Sequence, residues 1–473
     1  MAGVDSLSKT VRVRAASLDE KGAGVGLCHL GGRQVQVHVA GLLPGEEAEV
    51  RLLHRSPHRP EAWAALRRRA NAAPERVVPI CPAFGRCGGC VLQHLAYPAQ
   101  LRWKAARLAE ALTAAGATPG KVVCVPSPQQ GLGQRGRAKL VAAMQQGRLV
   151  LGAYAPRSHQ VVDLTGCRVV TPLLRGLTCS VARAAVHLSA FDERAGAGQL
   201  RYVLLRDTAD GQAQVSLVFA EVPPAPALNR LVDQLCATEP AVCSVTLHEN
   251  PRPGDIILDA AGAAADRVLH GTAALWERLE LPSGPLHLRA SPRSFLQVNR
   301  AVAAQLYADA AAALRPRPDD VLLDLYCGVG GLGLAVAALA PGLRVLGVDE
   351  APSSMADAEA TAQRAGVRAQ YLCGDAAAGL AAIAGMGLSP TLCALNPPRR
   401  GCAAEVLERV VALAPRALAY VSCDPSSLAR DLRLLLARGY RLVVASAYDM
   451  HPHTPHVEAL LVLERAERQD GFC

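Results

Sequence analysis

Tyr420-Val-Ser-Cys-Asp-Pro-Ser-Ser-Leu-Ala-Arg-Asp431 places one cysteine between a short apolar run, Ala417 to Val421, and a polar segment suited to starting a helix. Pro425 stops the run, and Ser426 and Ser427 are candidate caps for a helix beginning near Leu428. A thiol at such a strand-to-helix junction faces backbone N–H groups, which is expected to favour its thiolate, the form that attacks electrophiles. Cys423 is therefore the candidate nucleophile. A second set of thiols, Cys81-Pro-Ala-Phe-Gly-Arg-Cys87-Gly-Gly-Cys90, lies in a Gly/Pro loop at C-x5-C-x2-C spacing, which lets sulfurs gather around a tetrahedral zinc or an iron–sulfur cluster. A fourth ligand is needed, and spacing leaves Cys124, Cys167 and Cys179 open.

A third cluster lies near the C-terminal end. Val321-Leu-Leu-Asp-Leu-Tyr326 reads as a strand, Cys327-Gly-Val-Gly-Gly-Leu-Gly333 as a glycine turn, and an Ala/Leu helix follows. In this arrangement backbone approaches a ligand closely at a helix N-terminus. Leu343 to Val348 is the next strand and ends at Asp349, where a carboxylate can accept hydrogen bonds from ribose hydroxyls. Gly328, Gly330 and Gly333 satisfy G-x-G-x-x-G, which fits a nicotinamide dinucleotide or S-adenosylmethionine equally well.

These groups need elements to hold them. Strands are expected at Arg368 to Cys373, Thr391 to Leu395, Ala417 to Val421, Arg441 to Ala447 and Val457 to Leu463, mostly alternating with helices. The fold class is accordingly α/β, a doubly wound, mainly parallel sheet whose ligands sit beyond the carboxyl ends of its strands. Asp349, Asp375, Asn396 and Cys423 fall at such ends. Upstream, Thr10 to about Arg69 reads as a small all-β module, in which Lys21-Gly-Ala-Gly-Val-Gly26 is a hairpin turn and not a nucleotide loop. Residues 51–76 carry seven Arg against two Glu, a local balance of +5 that suits a solvated face or an RNA backbone. An amphipathic helix is expected from Leu101 to about Ala115. Strand-like runs at Leu140 to Ala143, Leu149 to Ala153, Gln160 to Leu164, Tyr202 to Leu205 and Gln214 to Phe219 imply a mostly antiparallel central sheet.

Composition sets the outer bounds. The 473 residues allow two to four domains, and with 51% apolar but only 4% aromatic residues the core must be built from Ala, Val and Leu. A formal net charge of +9 leans toward a polyanionic partner. No run suits a signal peptide or a bilayer span, so the expectation is a soluble, cytoplasmic protein in which the 15 cysteines serve metal binding and catalysis before disulfides.

The motifs in order carry a resemblance. Ser294-Phe-Leu-Gln-Val-Asn299, Asp324-Leu-Tyr-Cys-Gly-Val-Gly-Gly-Leu-Gly333, Asn396-Pro-Pro-Arg-Arg-Gly401, Tyr420-Val-Ser-Cys-Asp-Pro425 and His456-Val-Glu458 resemble the consecutive motifs of the RNA 5-methyluridine (uracil-C5) methyltransferases, ribosomal RNA type. The resemblance spans nearly the whole chain. It implies a class I S-adenosylmethionine-dependent methyltransferase fold at 291–473, a TRAM-like OB-type RNA-binding barrel at 1–72, and a central domain at 73–290 bearing the cluster loop. It further implies S-adenosyl-L-methionine contacts from Gln297, Tyr326, Gly328, Gly330, Asp349, Asp375 and Asn396, with Cys423 as nucleophile and Glu458 as base. Cys81, Cys87, Cys90 and Cys167 would hold a [4Fe-4S] cluster of structural role. The implied reaction is methyl transfer to C5 of a uridine through a Cys423–C6 adduct, on 23S ribosomal RNA before transfer RNA, by a monomer needing no protein partner. A non-catalytic RNA-binding or ribosome-assembly protein of the same fold is the alternative, and methylation of cytosine C5 or an adenine amine is the other enzymatic one. Three positions depart from the family pattern: Asn396 stands where Asp is usual, His451 and His453 where Phe and Gln are usual, and Gly136 where Asn is common.

Overall fold

The computed structural model describes residues 10–466 except 253, 255–256 and 259–265. Packing separates the chain into two compact units, one running to Trp103 and including His453–Pro455, the other spanning Lys104–Pro452 and resuming at His456.

In the first unit, Thr10–Leu18, Gly24–Leu30, Arg33–Val39, Glu61–Arg69 and Glu47–Arg55 close into a barrel in that order. Period-two alternation turns Val13, Ala15, Val35, Val37, Val39, Val50, Leu52, Ala62 and Ala64 inward, which fills so small a barrel. The expected hairpin at 21–26 is present: Asp19 Oδ1 accepts from the Lys21 and Ala23 amides at 2.9 Å, and Gly22 takes φ +80°. Fully buried Glu46 ties the barrel to the segment after it, accepting from the Leu43 and Ala73 amides and from Arg76.

In the second unit the five expected central strands are all present. Val161–Asp163, Arg148–Tyr154, Arg137–Gln145, Leu200–Asp207, Ala213–Phe219, Val242–Glu249 and Arg267–Gly271 form one sheet, antiparallel except between Ala213–Phe219 and Val242–Glu249. Helices Pro172–Ala184 and Ala225–Thr238 bury their apolar stripes in its core.

The second sheet of this unit positions the chemistry. Ala369–Cys373, Arg344–Asp349, Val321–Leu325, Leu392–Leu395 and Ala417–Ser422 are parallel neighbours in that order. Glu458–Arg465 follows antiparallel, then Tyr440–Tyr448, with Cys124–Val125 at the edge. The central parallel strands are buried on both faces, which is why they read as continuous apolar runs. This is the class I S-adenosylmethionine-dependent methyltransferase fold expected from the sequence. The antiparallel insertion has one consequence for the site: Glu458–Arg465 begins at the edge where the parallel strands finish, so its first residue joins their last ones. Among the described residues no helix is long and apolar enough to cross a membrane.

Candidate active site

Val321–Leu325 ends in a sharp exit. Tyr326 adopts φ +60°, a left-handed conformation rare for a residue with a β-carbon, and turns the chain into the glycine loop. Gly328 and Gly330 follow at φ +54° and +80°, and Gly330 caps helix Gly331–Ala337. A β-carbon at Gly330 would lie 2.6 Å from the Tyr371 hydroxyl, so the backbone has room only because glycine is there. Asp324 is completely buried, its Oδ2 accepting from the Gly333 amide at 3.0 Å, while its Oδ1 has no partner among the described residues. Burial pushes its carboxyl up to about 7. Asp349, half-buried at the end of the neighbouring strand, accepts from the Gly328 amide at 3.1 Å and the Ala351 amide at 3.0 Å. Its first role is thus to fix the loop.

The other expected contacts spread along the same edge. Asn396 ends Leu392–Leu395, half-buried, with its amide on the Leu325 carbonyl at 3.3 Å. Asp375 ends the outermost strand and is exposed; one carboxylate oxygen caps helix Ala376–Gly385 through the Ala378 amide at 2.8 Å. Gln297 comes from the segment before helix Arg300–Leu314 and lines a narrow cleft with Arg137, Arg206, Glu277 and Arg300. That segment reaches the glycine loop, since the Phe295 carbonyl lies 3.8 Å from a β-carbon built on Gly328. The same cleft accounts for Gly136, where a side chain would meet Arg300 at 2.8 Å and Asp207 at 2.9 Å.

Cys423 and Glu458 are brought together by register. Ser422 pairs with Ala459 across the antiparallel ladder, and one further step sets Cys423 beside Glu458. The local start of the following helix differs from expectation. It begins at Pro425, and Asp424, not Ser426 or Ser427, caps it by accepting from the Ser427 amide at 2.8 Å. Proline fits the first helical position, whose amide needs no partner.

The expectation of a favoured thiolate is also corrected. Burial, and then the Glu458 charge, push the half-buried Cys423 thiol up to about 11, against the lowering effect of Arg399. Glu458 is only 4% exposed, and burial pushes its carboxyl up to about 7, again opposed by Arg399. The protein thus holds a protonated thiol beside a carboxyl that titrates near neutrality. Desolvation outweighs the helix N-terminus here.

Arg399, in the Asn396–Gly401 loop, is the cation common to both groups, and its Nη2 lies 3.4 Å from His456 Nε2. His456 packs edge-on against His451 with ring centroids 5.8 Å apart. Burial and the surrounding cations, Arg135 first, hold His451 neutral, its imidazole lowered to about 3. The segment carrying His451 is pinned by a fully buried ion pair, Lys104 to Asp449 at 2.5 Å, and Lys104 also donates to the His451 carbonyl at 2.9 Å.

A further network was not legible as function in the sequence. Asp431, 2% exposed, accepts from the Tyr420 hydroxyl at 2.5 Å, the Cys402 amide at 2.8 Å and Arg430 Nε at 2.8 Å. It locks the Asn396–Gly401 loop onto the strand and helix that flank Cys423. The motif spacing offered one signal, since Asp431 closes the same twelve-residue stretch as Cys423.

The expected metal-binding thiols occur in both units. Cys81, Cys87 and Cys90 are half-buried in a turn-rich loop, with the Gly89 amide 3.4 Å from Cys87 Sγ and the Cys81 amide donating to Gln93 at 3.1 Å. Cys167 follows Val161–Asp163 in the other unit, its amide on the Leu164 carbonyl at 3.0 Å. Among the described residues no three Cys, His, Asp or Glu side chains gather in a set that would hold a metal ion.

Comparison with known proteins agrees with this geometry. Residues 300–420 match the family model described as methyltransferase small domain. An uncharacterized RNA methyltransferase of Geobacter sulfurreducens is 34% identical, over 97% of this chain and 91% of that protein. One from Bacillus cereus is 31% identical, over 97% of both. Among solved structures, the Pyrococcus abyssi tRNA (uracil-54, C5)-methyltransferase in complex with S-adenosyl-L-homocysteine is 25% identical, covering 96% of this chain and 99% of that one with a TM-score of 0.74. With a one-third identical relative matched along almost its full length, the chain belongs to the family of RNA methyltransferases.

Proposed function

We propose that this protein transfers a methyl group from S-adenosyl-L-methionine to C5 of a uridine in RNA through a covalent Cys423–C6 adduct, with Glu458 as the base. The observation that carries the reading is the register that sets Cys423 beside buried Glu458 at the strand edge that also carries the glycine loop, one strand removed from it. Uracil C5 is too weak a nucleophile to take a methyl group unaided. Addition of the Cys423 sulfur at C6 makes an enolate whose C5 is electron-rich, and the thiol proton passes to solvent as that bond forms, which leaves Glu458 ionised for the later step. Arg399 favours the charged forms of both Cys423 and Glu458. After methyl transfer, Glu458 removes the C5 proton so that Cys423 can be eliminated, and a carboxyl near 7 suits a base working at neutral pH.

The loop fits the cofactor, which supplies the electrophilic methyl group when bound. Gly328 and Gly330 leave backbone open, the Asp324 Oδ1 is an unused buried acceptor, and the half-buried Tyr326, Asp349, Asn396 and Gln297 line the approach, with Asp375 at the rim. The target nucleotide must be flipped out or lie in a loop to reach Cys423. The barrel is read as a TRAM-like RNA-binding domain. The loop thiols fit a [4Fe-4S] cluster in residue type, and the Gly89 amide supports a thiolate at Cys87. The resemblance assigns the fourth place to Cys167. Methyl transfer moves no electrons, so the cluster is structural.

Ribosomal RNA is the favoured substrate. Transfer RNA is the second reading, carried by the likeness to the Pyrococcus abyssi enzyme. The test is mass spectrometry of the protein with S-adenosylmethionine and 5-fluorouridine-containing fragments of 23S ribosomal RNA or transfer RNA. Fluorine does not leave as a proton does, so an adduct at Cys423 accumulates with the true substrate and is absent from Cys423→Ala. Methylation without any adduct would overturn the mechanism.

A further inference from the structure

The outer face of the barrel carries a feature that the methyl-transfer site does not use. Arg33–Val39, Glu61–Arg69 and Glu47–Arg55 are adjacent strands, and the alternation that turns Val37, Val39, Ala62, Ala64 and Leu52 into the core turns His38 and Trp63 outward. His38 pairs with Trp63, and Trp63 pairs with His54 on the other side, where a bulge between Leu52 and His54 brings the second imidazole into line. The rings stack in a row: His38 to Trp63 at 5.3 Å and 17°, Trp63 to His54 at 5.5 Å and 25°. Both spacings exceed face-to-face contact, so the rings are offset and part of each face stays uncovered.

The two ends of the row differ. His38 is anchored, its Nδ1 lying 2.7 Å from Asp19 Oδ2, while Asp19 Oδ1 holds the hairpin amides. His54 is exposed. Arg51 faces the same way, paired with Ala65 two residues along from Trp63, and its Nε has no partner among the described residues. The barrel core is already complete without these rings, so their apolar faces are not needed to fill it.

We propose that His38, Trp63 and His54 form a stacking platform for an unpaired RNA base, which continues the row on the open face of His54 while Arg51 neutralises an adjoining phosphate. Every base offers a π-face, so such a platform grips single strands with little sequence preference. The occupant is RNA and not a protein because the surrounding run, seven Arg against two Glu over 51–76, is complementary to a phosphate backbone. The inference rests on the RNA-binding reading of the barrel.

The test uses the full chain and fluorescence anisotropy with two probes of equal length, a single-stranded oligouridylate and the same ribose-phosphate backbone without bases. The wild-type protein should favour the base-bearing probe by about tenfold or more. His54→Ala should remove most of that preference, Trp63→Ala should do the same, and His54→Phe should retain it, with the salt dependence for the oligouridylate unchanged in all three. Because His54 is exposed, His54→Ala keeps the test valid should Trp63→Ala fail to fold. Variants that keep the wild-type preference would overturn the platform while leaving backbone binding by the barrel intact. A full-chain Arg55→Glu, Arg67→Glu double variant, altered only at exposed barrel positions, that binds both probes as the wild type does would instead overturn the RNA-binding reading of the barrel.

Discussion

Replacing Glu458 by Gln tests the site through stability and chemistry at once. The carboxyl is pushed from an ordinary value of 4.5 to about 7, with burial as the main cause. Between these values the unfolded chain gives up its proton while the folded protein keeps it, so rising pH favours unfolding across that interval and the full cost is present above pH 7. At about 1.4 kcal/mol per pH unit this amounts to roughly 3 kcal/mol. Glu458→Gln has no proton to lose. Relative to wild type it should gain about that much stability between pH 4 and pH 8, measured as the double difference in urea denaturation. The charge beside Cys423 also disappears, so the thiol should titrate lower, read from the pH dependence of iodoacetamide alkylation. Methyl transfer should be lost. In the wild-type enzyme its pH profile should rise with an apparent pKa near 7, as the base ionises. Parallel stability profiles for wild type and variant would refute the burial argument, and an unchanged profile of methyl transfer in Glu458→Gln would refute the role as base.

Asp431→Ala should lower stability by about 3 kcal/mol or more, because the Tyr420 hydroxyl and the Cys402 amide lose their buried acceptor. Calorimetry checks this, and an unchanged melting temperature would show that the network carries no weight. Cys87→Ser should lower iron content and weaken RNA binding or folding. A variant that stays folded and binds RNA but transfers no methyl would show that the cluster is not merely structural.

The local elements and the candidates for chemistry were legible in the order of amino acids alone. Apolar runs between glycine and proline breaks marked nearly every strand, because parallel strands buried on both faces admit little else, and the strand–glycine turn–helix at 321–337 could be read directly. Cys423 stood out through its junction. Glu458 did not, because on spacing alone it is a carboxylate at the start of a strand. Only the tertiary structure, by inserting Glu458–Arg465 antiparallel to its neighbours, brings that start to the edge where the parallel strands end. Protonation likewise belongs to the fold: the same thiol that a helix N-terminus would ionise is kept neutral by burial and a carboxylate 35 positions away in the chain. The Arg399–His456 contact and the row of His38, Trp63 and His54 join residues from separate segments. Periodicity assigns each residue to a face, but which faces and edges become neighbours is decided by strand order, and strand order is set by the packing of the whole domain.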